Sequence, residues 1–192
     1  MSLHAPTIAF LRYLETHPTV CKQIRAAAGK TMLYAGDGGP TLGTEKFGYL
    51  VPMWREIARL KSQDPQYHDK EVLHDVIERV AAPDTPFNSV LLYVQDIEQK
   101  LGELRRTTNA VIDGDTDAIW RAMSAIFAKN AEGPVSICIG RAVNARKIFA
   151  STELPILLQN QKVDRATHDI LHFYDRCFRS GQTDIGLSII RK

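Results

Sequence analysis

Residues 132–140 read EGPVSICIG, and the fold class turns on this stretch. Val135, Ile137 and Ile139 alternate with Ser136, Cys138 and Gly140. A period of two puts successive side chains on opposite faces of an extended chain, so the stretch is expected to be a strand. Before it the chain carries a helical period, with the exception of KTMLYAG (residues 30–36), a second expected strand.

The helical part begins with Ile8, Leu11 and Leu14 and stops near Thr16-His17-Pro18. Pro18 suits the first position of a second helix, where no N–H is needed. Val20, Cys21, Ile24, Ala27 and Ala28 extend that stripe to Gly29. GDGGPTLG (residues 36–43) has four glycines and reads as a loop. Thr44 is expected to cap a helix bearing Phe47, Leu50, Met53, Trp54, Ile57 and Leu60, and Val72, Leu73, Val76, Ile77 and Val80 mark another. The clearest helix lies in APDTPFNSVLLYVQDIEQKLGELRR (residues 82–106), with Val90, Leu91, Val94, Ile97, Leu101 and Leu104 on one face. Asp115 or Thr116 starts one more, with Ile119, Ala122, Met123, Ile126 and Phe127.

Beyond EGPVSICIG, RKIFAS (residues 146–151) is the expected partner strand. STELPILLQN suggests a short helix with Thr152 as cap and Pro155 in the first turn. Residues 164–180 return to helix through Ala166, Ile170, Leu171, Cys177 and Phe178 and close at Gly181, and TDIGLSIIR (residues 183–191) reads as a last strand. The expectation is an α+β fold: one helix-dominated domain over 1–192, of about six or seven helices, with a small antiparallel sheet formed largely by the C-terminal third.

The 192 residues suffice for one core without staples. Apolar residues make up 44% and charged residues 24%, an ordinary globular profile, and a net charge of +2 gives no reason to expect nucleic acid or membrane as partner. Residues 133–192 hold nine Lys/Arg against five Asp/Glu, a mild basic tilt. Cys21, Cys138 and Cys177 are odd in number and far apart, which excludes a disulfide framework and a zinc ribbon. No run of 18 apolar residues and no signal-peptide pattern occurs. A cytoplasmic protein is expected; one secreted without a cleaved signal would look the same.

Two segments resemble known enzymes. VLHDVIE (residues 72–78) is similar to the HD hydrolases that cleave hyperphosphorylated guanine nucleotides, and GYLVP (residues 48–52) matches part of a second motif of that family. The resemblance implies a divalent metal on His74-Asp75. Three departures stand against it: Val51 replaces the upstream histidine ligand, Glu78-Arg79 replaces the acidic pair, and no distal aspartate is evident. The plain reading is a surface His and Asp set between the core positions Leu73, Val76 and Ile77. YAGDGGPTLG is similar to the Asp-containing strand of phage lysozymes, but the expected glutamate is Ala28, which removes the proton donor.

His168 and His172 are four apart on one helix face with Asp175 three further, a candidate metal site that His68, His74 or Glu153 would complete if near in space. Gly29-Lys30-Thr31 is no phosphate loop, because Ile24 stands where its first glycine belongs. Arg141, Arg146 and Lys147, with Thr152 beyond and Asp37 in the glycine-rich loop, form a candidate ligand-binding set for phosphate or carboxylate. No cofactor follows from these residues. The function expected is a non-catalytic binding or regulatory domain recognising a partner protein or an anionic small molecule. The alternative is a hydrolase or transferase using His and Asp, including a metal-dependent phosphohydrolase.

Overall fold

A computed structural model of the protein describes residues 2–35, 50–80, 99–108, 111, 113–139 and 148–181. Among them helix dominates: α1 (Ala5–Thr16), α2 (Pro18–Gln23), α3 (Leu50–Gln63), α4 (Leu73–Val80), α5 (99–108), α6 (Asp113–Lys129), α7 (Leu154–Gln159) and α8 (Arg165–Arg179). The strands are β1 (Met32–Ala35) and β2 (Ser136–Ile139). The chain forms two compact units, each made of two separate stretches. One takes Met1–Arg25 with Leu73–Asn130, the other Ala26–Val72 with Ala131–Lys192.

The first unit is helical. In α1 the buried side chains are Thr7, Phe10 and Leu14, at helical spacing. Ile8, expected inside, is 44% exposed, so the buried stripe lies beside the expected one. The helix ends as expected: Thr16 Oγ1 donates back to the Arg12 carbonyl (2.9 Å), the His17 ring stacks on Tyr13, and Pro18 opens α2. The α2 helix stops at Gln23, short of the expected Gly29, and the Asn130 amide donates to the carbonyls of Cys21 and Ile24. On α6, Ile119, Met123 and Phe127 are buried, and α6 packs against α1 and α4. Leu73, Val76 and Ile77 form the buried face of α4, and Leu101 is buried on α5.

The second unit holds the sheet, and here the expectation needs correcting. The sheet is parallel, not antiparallel, and it joins β1 to β2, not two C-terminal strands: Met32 faces Ser136, Leu33 faces Ile137, Tyr34 faces Cys138 and Ala35 faces Ile139. Parallel neighbours need a long crossover, and residues 36–135 lie between these two strands. Both faces are buried. Met32 and Cys138 join Ile57, Leu60, Tyr67 and Val72 in one cluster, while Leu33, Ala35, Ile137 and Ile139 are buried on the other face. An apolar run covered on both faces favours the parallel arrangement. A single parallel bridge, Thr31 with Glu71, lies on the other edge of β1.

The expected partner strand RKIFAS is helical where it is described. Phe149–Glu153 is a turn of π-helix closed by the Leu154 N–H on the Phe149 carbonyl, and it runs directly into α7. Pro155 explains the widening, since it has no N–H to return to the carbonyl of Ser151 and the ladder must shift around it. Thr152 therefore sits inside the π-turn and does not cap α7. The glycine-rich loop, the Thr44 cap, Val94 with its half of the 86–104 helix, and the TDIGLSIIR strand lie outside the described residues.

Candidate functional site

Helix α8 in the second unit is anchored by a cap and by two side-chain bonds. The Asp164 carboxylate caps it by accepting from the Thr167 N–H (2.9 Å). Thr167 Oγ1 accepts from the Val135 N–H (3.1 Å), which ties the helix to the residue before β2. The His168 ring donates through Nε2 to the Asn160 carbonyl (3.1 Å), and the Asn160 amide donates to the Ala131 carbonyl (2.9 Å). Thr167, Leu171, Tyr174 and Cys177 form the buried stripe. Ala166, expected inside, is exposed.

Fixing that stripe also fixes the opposite face. Arg165, Asp169, His172, Phe173, Arg176 and Arg179 are exposed. Their spacing of three, four and seven places them on one side of the helix. Phe173 is 48% exposed, with its ring edge-on to the buried Tyr174 at 5.6 Å. Phe173 escaped the sequence reading because Ile170 was given the core position. The phase Thr167–Leu171–Tyr174–Cys177 was the signal that leaves Phe173 outside.

The three proposed metal ligands share α8. The His168 and His172 ring centroids are 6.5 Å apart. Asp175 Oδ2 accepts from Arg179 Nε (2.8 Å). With Nε2 of His168 engaged at Asn160, only Nδ1 of that ring is left to meet an ion. Among the described residues no three His, Cys, Asp or Glu side chains form a group able to hold a metal.

Of the ligand-binding set, Arg141, Arg146, Lys147 and Asp37 lie outside the described residues, and Thr152 is half-buried in the π-turn. His74 pairs with Glu78 (3.1 Å) on the exposed side of α4, both side chains at least half exposed, while Leu73, Val76 and Ile77 are buried as the plain reading of VLHDVIE had it. A cleft of about 250 Å³ lies at the end of α3, lined by Lys61, Ser62, Gln63, Asp64, Pro65 and His68. No described helix is long and apolar enough to cross a membrane.

A His–Asp pair that the sequence does not reveal lies in the first unit. The His4 backbone N–H and ring Nδ1 both reach the Asp115 carboxylate, each at 2.8 Å. Asp115 is 2% exposed. Its burial raises the carboxyl pKa, but the Thr7 hydroxyl, the two His4 bonds and the His4 charge outweigh this and leave it below the ordinary value. The Thr7 hydroxyl that contributes is itself buried.

Against this geometry, comparisons with protein-family models, with curated proteins and with solved structures give no match.

Proposed function

We propose that the chain is a non-catalytic binding module that recognises a partner protein through the outer face of α8. One observation carries this: a large aromatic side chain, Phe173, stands half exposed on a helix whose other face is fixed by a cap, two side-chain bonds and a buried stripe. Aromatic and arginine side chains supply most of the binding energy at protein interfaces, and a rigid helix presents them at little entropic cost. His172 and Arg176 flank Phe173, so the partner is expected to offer an apolar pocket with an acidic rim. The reading also places the protein in the reducing cytoplasm as a single domain. None of the three cysteines is joined in a disulfide, which supports the first point.

Photo-crosslinking from a benzoyl-phenylalanine placed at Phe173 tests the module. A discrete adduct is expected from that position and not from the exposed Gln161. With the captured protein purified, Phe173→Ala should weaken binding by about 30-fold or more, the effect of a residue worth 2 kcal/mol. Equal labelling from both positions overturns the reading. If titrated inorganic phosphate binds, and Arg176→Ala but not Phe173→Ala weakens it, the ligand is an anionic small molecule.

A second reading, a hydrolase or transferase using His and Asp, is favoured by the His4–Asp115 pair. A carboxylate on Nδ1 sets the tautomer and leaves Nε2 as the basic nitrogen, the arrangement a general base needs. A metal-dependent form would use His168, His172 and Asp175, with Asp175 exchanging Arg179 for the ion. Metal analysis of the purified protein decides that form. Loss of phosphoester hydrolysis in His4→Ala tests the metal-free one.

A further inference from the structure

Lys30 and Lys70 come together where the chain first enters the second unit's sheet. The Glu71 N–H donates to the Lys30 carbonyl (2.8 Å), and the Met32 N–H donates to the Glu71 carbonyl (2.9 Å), so the segment carrying Lys70 runs alongside the one carrying Lys30. The Lys30 ammonium pairs with Asp69. The half-buried Lys70 amine donates to the carbonyl of Gly29, the residue that turns the chain with φ 73°. The two lysines thus serve different partners side by side, and Lys70 has a carbonyl where Lys30 has a carboxylate.

We propose that Lys70 is the preferred acyl-accepting amine of this chain, modified by activated acyl donors such as acyl phosphates or thioesters. The position suits the chemistry in three ways. An amine that donates to a carbonyl keeps that bond when it loses its proton, because the remaining N–H groups still donate and the lone pair is left for attack. Asp69 pairs with Lys30, and among the described residues no carboxylate pairs with Lys70. Burial first, and the neighbouring Lys30 charge second, lower the Lys70 pKa from the usual lysine value. A lowered pKa raises the neutral, nucleophilic fraction of the amine at neutral pH.

In the step itself, the Lys70 Nζ lone pair attacks the carbonyl carbon of the donor. The N–C bond forms, the bond from carbon to the leaving phosphate or thiolate breaks with its electron pair, and the amine proton passes to solvent. The product is a neutral amide in place of a cation. Its single N–H can still reach the Gly29 carbonyl, while Lys30 loses a like-charged neighbour. This inference is independent of the α8 reading.

The intact protein, exposed to acetyl phosphate near neutral pH and analysed lysine by lysine by mass spectrometry, tests it. Lys70 should acetylate at least about threefold faster than the exposed Lys22 and Lys129. Lys30→Gln should slow Lys70 and move its pH–rate profile to higher pH. Asp69→Asn, which leaves the Lys30 charge uncompensated, should do the opposite. Circular dichroism checks that each variant folds, and the opposed directions keep the test decisive if one does not. Equal or slower acetylation of Lys70 in the unaltered protein overturns the proposal, as does a Lys70 rate indifferent to both variants.

Discussion

His4 and Asp115 are 111 positions apart, and a two-point grip joins them: the backbone N–H and the ring Nδ1 of His4 both meet the Asp115 carboxylate at 2.8 Å. The grip fixes the start of α1 against the first turn of α6, and the two helices pack against each other. It also solves a local problem. A carboxylate 2% exposed must have its oxygens satisfied, and the residue before α1 has a backbone N–H with no helical partner.

Asp115 therefore contributes acid-sensitive stability. Its folded pKa lies below the ordinary carboxyl value, so the contribution is complete above about pH 4, the unfolded pKa, and is lost as pH falls through the folded one. Asp115→Asn is expected to cost about 1.5–3 kcal/mol at pH 7, the range for hydrogen bonds to a charged group, and to flatten the decline in stability below pH 4. Urea unfolding at a series of pH values measures both. An unchanged acid slope in the variant would show that the carboxylate is not differently protonated in the two states.

Leu101 is 1% exposed on α5 and Phe127 is fully buried on α6. Truncation to alanine should cost about 2–5 kcal/mol for Leu101 and about 3–5 kcal/mol for Phe127, through lost burial and the cavity left behind. Chemical denaturation at neutral pH checks the values. A loss under about 0.5 kcal/mol at Leu101 would mean that its side of α5 is not core.

The helices were legible because a buried stripe repeats every three or four residues, as at Ile119, Met123 and Phe127. Phase was less secure in α1 and α8, where Thr7 and Thr167 occupy core positions that a hydrophobicity pattern assigns to Ile8 and Ala166. Both strands were legible as strands. Their pairing was not, because nothing local in MLYA or SICI says that they meet across residues 36–135. Local propensity misled at Ile148 and Phe149, β-formers whose conformation is decided by Pro155 and the start of α7. The His4–Asp115 pair and the Lys30–Lys70 neighbourhood are products of tertiary contact, and no spacing in the sequence points to either.

Gly133 and Gly181 separate two costs of adding a side chain. Both have positive φ, 72° and 74°. Among the described residues a Cβ at Gly181 would meet nothing within 4 Å, whereas one at Gly133 would lie 3.3 Å from the Gly29 nitrogen. Gly181→Ala should therefore cost only the left-handed backbone penalty, about 1–2 kcal/mol, and Gly133→Ala measurably more. The Gly133 N–H bonds the Lys162 carbonyl and its carbonyl accepts from Asp164, so relief by backbone movement would loosen the α8 cap as well. Thermal unfolding of the two variants side by side measures the difference. Equal losses would show that the Gly29–Gly133 approach yields freely.

The three thiols should react in an order set by burial and not by activation. Cys138 and Cys177 are buried, and Cys21 is half-buried with its Sγ donating to the Leu14 carbonyl (3.2 Å). Burial pushes the Cys21 pKa up, outweighing the opposing effects of its own backbone hydrogen bond and the Lys129 charge. The thiolate is the reactive form, so at any pH below that pKa Cys21 holds less of it than a free cysteine does. Folding that favours the neutral thiol also loses stability as pH rises past about 8.5, the unfolded value, since the unfolded chain then ionises first. Dithionitrobenzoate should modify Cys21 more slowly than it modifies a small-molecule thiol at pH 8, with a rate profile displaced to higher pH, and Cys138 and Cys177 only on unfolding. Removing the opposing charge with Lys129→Gln should slow Cys21 further. A Cys21 that reacts faster than the free thiol would reverse the assignment and make it an activated cysteine in place of a packed one.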